Sequence, residues 1–81
     1  GEDSVRLDAA LLSQRSEQLA EQLGDLAQRV KNSGEFVLIT SRTDDEGRWI
    51  YRQMQEAVPG YLVRGDIQLG SPPRVTLLPP L

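Results

Sequence analysis

The densest run of chemically capable side chains is Arg42-Thr43-Asp44-Asp45-Glu46, followed by Arg48, Trp49 and Arg52. Three adjacent carboxylates offer the oxygen ligands that Mg²⁺ or Ca²⁺ take, but a calcium loop needs acids at alternating positions with a glycine at the sixth. That spacing is absent, and neither a metal nor a cofactor is expected. Thr43 followed three residues later by Glu46 is instead a capping-box pattern, and Asp44 and Asp45 suit the positive end of a helix dipole. Capping accounts for all three acids. Arg48 and Arg52 lie one helical turn apart; guanidinium groups grip carboxylates and phosphates bidentately, and Trp49 beside them offers a stacking face. Arg48 and Arg52 are therefore candidate binding residues for an anionic ligand or partner surface. The competing reading of these residues is a solvated helix face.

Catalysis lacks its usual parts. The chain has no histidine and no cysteine, which removes the commonest general base and the thiolate nucleophile. Its serines have no base to activate them, and no Ser-x-x-Lys occurs. Paired carboxylates would need a cleft with unequal environments, for which 81 residues leave little room. The chain is not expected to be an enzyme. Nine basic against twelve acidic residues, a net charge of −3, argue against nucleic acid, whose binding rests on a basic surface. No apolar run approaches a membrane span and no signal peptide is visible. With 38% hydrophobic and 26% charged residues, the composition is that of a soluble globular domain. Residues 1–81 are read as one small domain, and the Gly1-Glu2-Asp3 start predicts a piece excised from a longer protein.

The elements that must position these residues follow from periodicity. Val5, Ala9, Leu12, Leu19, Leu23, Leu26 and Val30 recur at steps of four and three, with Ser16 in the remaining slot. This 3.5-residue period predicts a long helix over about 5–31, ended by Asn32 or Gly34 in the left-handed conformation. Residues 36–40 (Phe-Val-Leu-Ile-Thr) form an apolar, β-rich run of strand length, read as a central strand covered on both faces or nearly so. A second helix runs from the Thr43 cap to about Val58, where Pro59-Gly60 stops it. Residues 61–69 alternate with period two, with Gly65 as a candidate bulge, and residues 74–78 form a last strand. The Gly70-Ser71-Pro72-Pro73 turn predicts a hairpin between these two strands. Strand, helix, strand implies a parallel pair. The fold expected is an α+β two-layer sandwich in the order α-β-α-β-β, a three-stranded mixed sheet with two helices on one face and an α/β core over about 35–78.

Thr43-Asp44-x-x-Gly47-x-x-x-Tyr51, opening a helix behind an apolar strand, resembles the signature of OmpA-like domains, His-Thr-Asp-x-x-Gly-x-x-x-Tyr-Asn. The preceding helix ending in Asn32-Ser33-Gly34 matches the family layout. Ala57-Val58-x-x-Tyr61-Leu62-Val63 is similar to the segment that closes the family's next helix. The resemblance covers roughly residues 7–63. It implies a periplasmic domain of a bacterial envelope protein and, in typical members, binding to the peptide stem of peptidoglycan. The chain departs from the pattern at Arg42, where the family has its histidine, and at Arg52, where it has asparagine. The family's ligand-gripping arginine falls on Pro59. The family fold also begins with a strand that this sequence does not announce, and the family makes residues 61–63 helical where period two predicts strand. Of the family's usual ligand-binding pair, only Asp44 carries over.

Three readings of function follow. The first is a non-catalytic envelope domain that contacts other proteins. The second is a module gripping a carboxylate, such as a peptidoglycan peptide, through Asp44, Arg48 and Arg52. The third is dimerisation: a 26-residue helix is roughly 39 Å long against about 17 Å for a five-residue strand, which would leave Leu12, Leu19 and Leu23 as an exposed interface.

Overall fold

The computed structural model describes residues 3–80. The elements are β1 (Asp3–Arg6), α1 (Ala9–Ser13), α2 (Glu17–Ser33), β2 (Phe36–Ser41), α3 (Asp44–Ala57), β3 (Gly65–Leu69) and β4 (Arg74–Leu78). The class is α+β, but the sheet has four strands, not three, in the order β1-β4-β2-β3. β2 and β3 are parallel, while β4 runs antiparallel to both β2 and β1. The expected hairpin does not form, because β4 lies on the far side of β2 from β3. Residues 70–73 therefore step across the end of β2, held there by the Gly70 N–H donating to the Ser41 carbonyl at 2.9 Å.

The long helix expected over 5–31 is three separate elements. Val5 sits on β1 opposite Val75. The Asp8 carboxylate caps α1 by accepting from the Leu11 N–H at 2.9 Å. The chain then turns through Arg15, whose φ of 53° is left-handed, and the Ser16 hydroxyl caps α2 by accepting from Gln18 N–H at 3.2 Å. Ser16 is thus a helix start, not a polar step in a coiled-coil seam. The heptad pattern arises because Leu12 on α1 and Leu19 and Leu23 on α2 face the same core. At the far end Gly34, with φ 74°, closes α2 and donates its N–H to the Val30 carbonyl at 2.8 Å.

α2 and α3 pack side by side, with Gly24 against Ala57, over one face of the sheet. Leu19, Leu23, Val30, Ile50 and Met54 from the helices meet Val37, Ile39, Val75 and Leu77 from the strands, all of them buried. Full burial of side chains of this kind contributes roughly 1.5–3 kcal/mol each. On the other face Ser4, Arg6, Asp66 and Gln68 are exposed and Phe36, Leu38 and Leu78 are half-buried. β2 is central but carries helices on one face only; Thr40 on its open side is buried and accepts a hydrogen bond from Gln68 Nε2 at 3.0 Å. β3 begins at Gly65, four residues later than the period-two pattern predicts, and residues 61–64 belong to no helix or strand. Val63 is buried there from a loop.

Candidate functional site

The chemically capable side chains of residues 42–52 sit at the start of α3. Thr43 has extended backbone geometry, φ −134° and ψ 157°, and its Oγ1 accepts from the Glu46 N–H at 3.2 Å. The Glu46 carboxylate turns to Arg42, with Nη2 to Oε2 at 3.2 Å, where a full capping box would take the Thr43 N–H. Glu46 is only 6% exposed, and its other oxygen has no hydrogen-bond partner among the described residues.

Gly47 lets the helix lie directly on the sheet. A Cβ there would stand 2.5 Å from Ile67 Cγ2 and 2.8 Å from Ser41 Oγ, separations that real side chains do not tolerate. One turn on, the Tyr51 hydroxyl donates to the Val63 carbonyl at 2.8 Å. Gln55, one turn further, donates from Nε2 to the Tyr61 carbonyl at 2.6 Å and accepts at Oε1 from the Val63 N–H at 3.0 Å. Tyr51 and Gln55 together thus satisfy the backbone of the irregular segment that leads into β3.

The candidate ligand-binding residues share one solvent stripe of α3, spaced four residues apart. Asp44 and Arg48 pair with each other, Oδ2 to Nε at 2.7 Å, and their side chains are 58% and 68% exposed. An exposed pair at this spacing is worth about 0.3–0.5 kcal/mol. Arg52 is exposed one turn beyond, with no ion-pair partner among the described residues. Trp49 does not offer a bare stacking face to this stripe: the Arg15 guanidinium lies 5.7 Å from its ring centroid. The three acids diverge, Asp44 and Asp45 toward solvent and Glu46 inward. Among the described residues no group of His, Cys, Asp or Glu is placed to hold a metal ion.

Leu12, Leu19 and Leu23 take a different place from the one expected of an interface. All three are 0% exposed in the core of a single chain, because the helix that would have overhung the sheet breaks at residues 14–16. Among the described residues no helix is long and apolar enough to cross a membrane. The positioning roles of Tyr51 and Gln55, and the close approach at Gly47, have no signal in periodicity or composition. A known strand and helix register would have been needed to find them. Comparison with protein-family models finds none that matches the chain, and comparisons with curated proteins and with solved structures likewise find no significant match.

Proposed function

We propose that this chain is a non-catalytic interaction domain of a bacterial cell-envelope protein, related to OmpA-like domains, that contacts a protein partner through Asp44, Arg48 and Arg52 on α3. The observation that carries the reading is the division of labour within residues 43–51. Thr43 caps the helix, Gly47 admits the sheet beneath it and Tyr51 tethers the segment before β3. Three of the four positions behind the resemblance therefore serve the fold, and a domain can keep them while its surface chemistry changes. Asp44 is the exception, exposed and, among the described residues, held only by Arg48. The initial strand that the resemblance requires has a counterpart in β1. The periplasmic or envelope location rests on the resemblance alone.

The departures favour protein contact over ligand capture. Arg42, at the family's histidine position, is engaged by Glu46, and Pro59, at its arginine position, has no donor to offer. The second reading, a peptidoglycan peptide bound through its carboxylate, is favoured by Arg52, which has no ion-pair partner among the described residues. Titrating a soluble muropeptide to millimolar concentration while following the backbone NMR signals of residues 42–52 separates the two. The protein-contact reading expects unmoved signals; saturable shifts confined to these residues would replace it with the ligand-binding one. Self-association through Leu12, Leu19 and Leu23 has lost its premise, since those side chains are inside the molecule.

A further inference from the structure

Arg6 on β1 and Arg74 on β4 are directly opposed in the antiparallel register. Opposed residues share one face of a sheet with Cβ atoms about 4.5–5.5 Å apart, and like charges so placed destabilise the pair. This face is the open one: α2 and α3 lie on the other side, where the alternate residues Val5 and Val75 point. Arg74 Nη1 donates to the Pro72 carbonyl at 2.9 Å, which orients it without neutralising it. Among the described residues neither arginine makes an ion pair, whereas Arg29, Arg42 and Arg48 all do. The same row continues across the sheet through Thr40 and Gln68, which carry no charge, so the row holds no carboxylate to balance the two guanidinium groups.

We propose that Arg6 and Arg74 form an oxyanion-binding site on the open face of the sheet, taking one phosphate or carboxylate group between two guanidinium forks. Two charge-assisted, bidentate donors converging on one anion are the arrangement that planar oxyanion groups favour. A bound anion would also offset the like-charge repulsion between the two opposed arginines. The site is separate from the α3 stripe and does not depend on its role.

The test follows the Arg Nε–Hε and backbone NMR signals of the chain during titration with sodium phosphate and, separately, sodium malonate, each against sodium chloride at equal ionic strength. The expected result is saturable shifts at Arg6 and Arg74 with one or both oxyanions and not with chloride. Phosphate acting alone assigns a free or esterified phosphate as the source; malonate acting as well assigns a carboxylate. Arg74→Gln should weaken the response by about tenfold or more, while its own spectrum stays folded and its thermal midpoint in chloride is equal to or above that of the parent. Shifts that never saturate, that chloride reproduces, that centre on Arg48 and Arg52, or that survive Arg74→Gln would overturn the site.

Discussion

Gly47 and Ile67 meet at a separation that leaves no room for a methyl group: a Cβ at residue 47 would stand 2.5 Å from Ile67 Cγ2. Alanine is the better helix former by about 1 kcal/mol, yet Gly47→Ala is predicted to destabilise the domain by about 1–3 kcal/mol through overpacking. Gly24 is the contrast. Its added Cβ would meet Ala57 Cβ at 3.4 Å, a tolerable contact, so Gly24→Ala is predicted to stabilise by roughly 0.5–1 kcal/mol. Urea denaturation of the two variants checks the opposite signs; equal signs would contradict the helix–sheet packing described.

Gln55 satisfies two backbone groups of a segment that has no secondary structure of its own. Gln55→Ala leaves the Val63 N–H and the Tyr61 carbonyl without their partner, at a cost of about 1–3 kcal/mol. Tyr51→Phe removes one hydrogen bond and is predicted to cost about 0.5–1.5 kcal/mol. Amide hydrogen exchange gives a second readout: protection at Val63 should fall in both variants while that of Ile39 follows only global stability. Unchanged protection at Val63 would rule out the tether.

Asp3 on β1 receives a hydrogen bond from Arg29 on α2, and that bond first, with the guanidinium charge second, holds its carboxyl below the ordinary value of 3.8. The unfolded chain then binds this proton at higher pH than the folded one, so stability rises with pH across the interval. The contribution is present above about pH 3.8 and is lost as pH falls through the depressed value. Asp3→Asn should lower stability at pH 7, and its difference from the parent should close at acid pH as Asp3 itself protonates. A difference that persists undiminished at the acid end would show that something other than the ion pair is responsible.

Leu12 is fully buried, so Leu12→Ala should cost about 2–5 kcal/mol as the core relaxes around the missing side chain. The association state, read by light scattering after size exclusion, should not change. A variant as stable as the parent but of lower assembly mass would instead restore Leu12 to a surface between chains.

Much of the α/β half was legible in the sequence, and the reasons are local. Thr43 with Glu46 announces the start of α3, Pro59-Gly60 its end, and the unbroken run at 36–40 a central strand. β1 was not legible. Asp-Ser-Val-Arg has one partly buried residue and takes its meaning from β4, about seventy positions away in sequence. The break at Arg15 was masked by Leu12 and Leu19, whose seven-residue spacing imitates a heptad although they belong to different helices. Chain neighbours usually pair, which points β4 to the side of β3, whereas it lies between β1 and β2. For the site, the exposed stripe Asp44, Arg48 and Arg52 could be read from helical spacing. The engagement of Trp49 by Arg15 could not, because it depends on how the α1–α2 junction lies against α3.

The central claim, that the solvent stripe of α3 is a protein-contact face, is tested most directly by crosslinking in cells that express the protein. A photoreactive residue at Glu56, exposed one turn beyond Arg52, should yield an adduct with a second protein. The same residue at exposed Gln22 on α2 should yield none. The account predicts that Arg48→Glu with Arg52→Glu abolishes the adduct while the thermal midpoint shifts little, since exposed charges here hold the fold by about 0.5 kcal/mol or less. An adduct at Glu56 that survives the double charge reversal, or its absence in the parent, would contradict it.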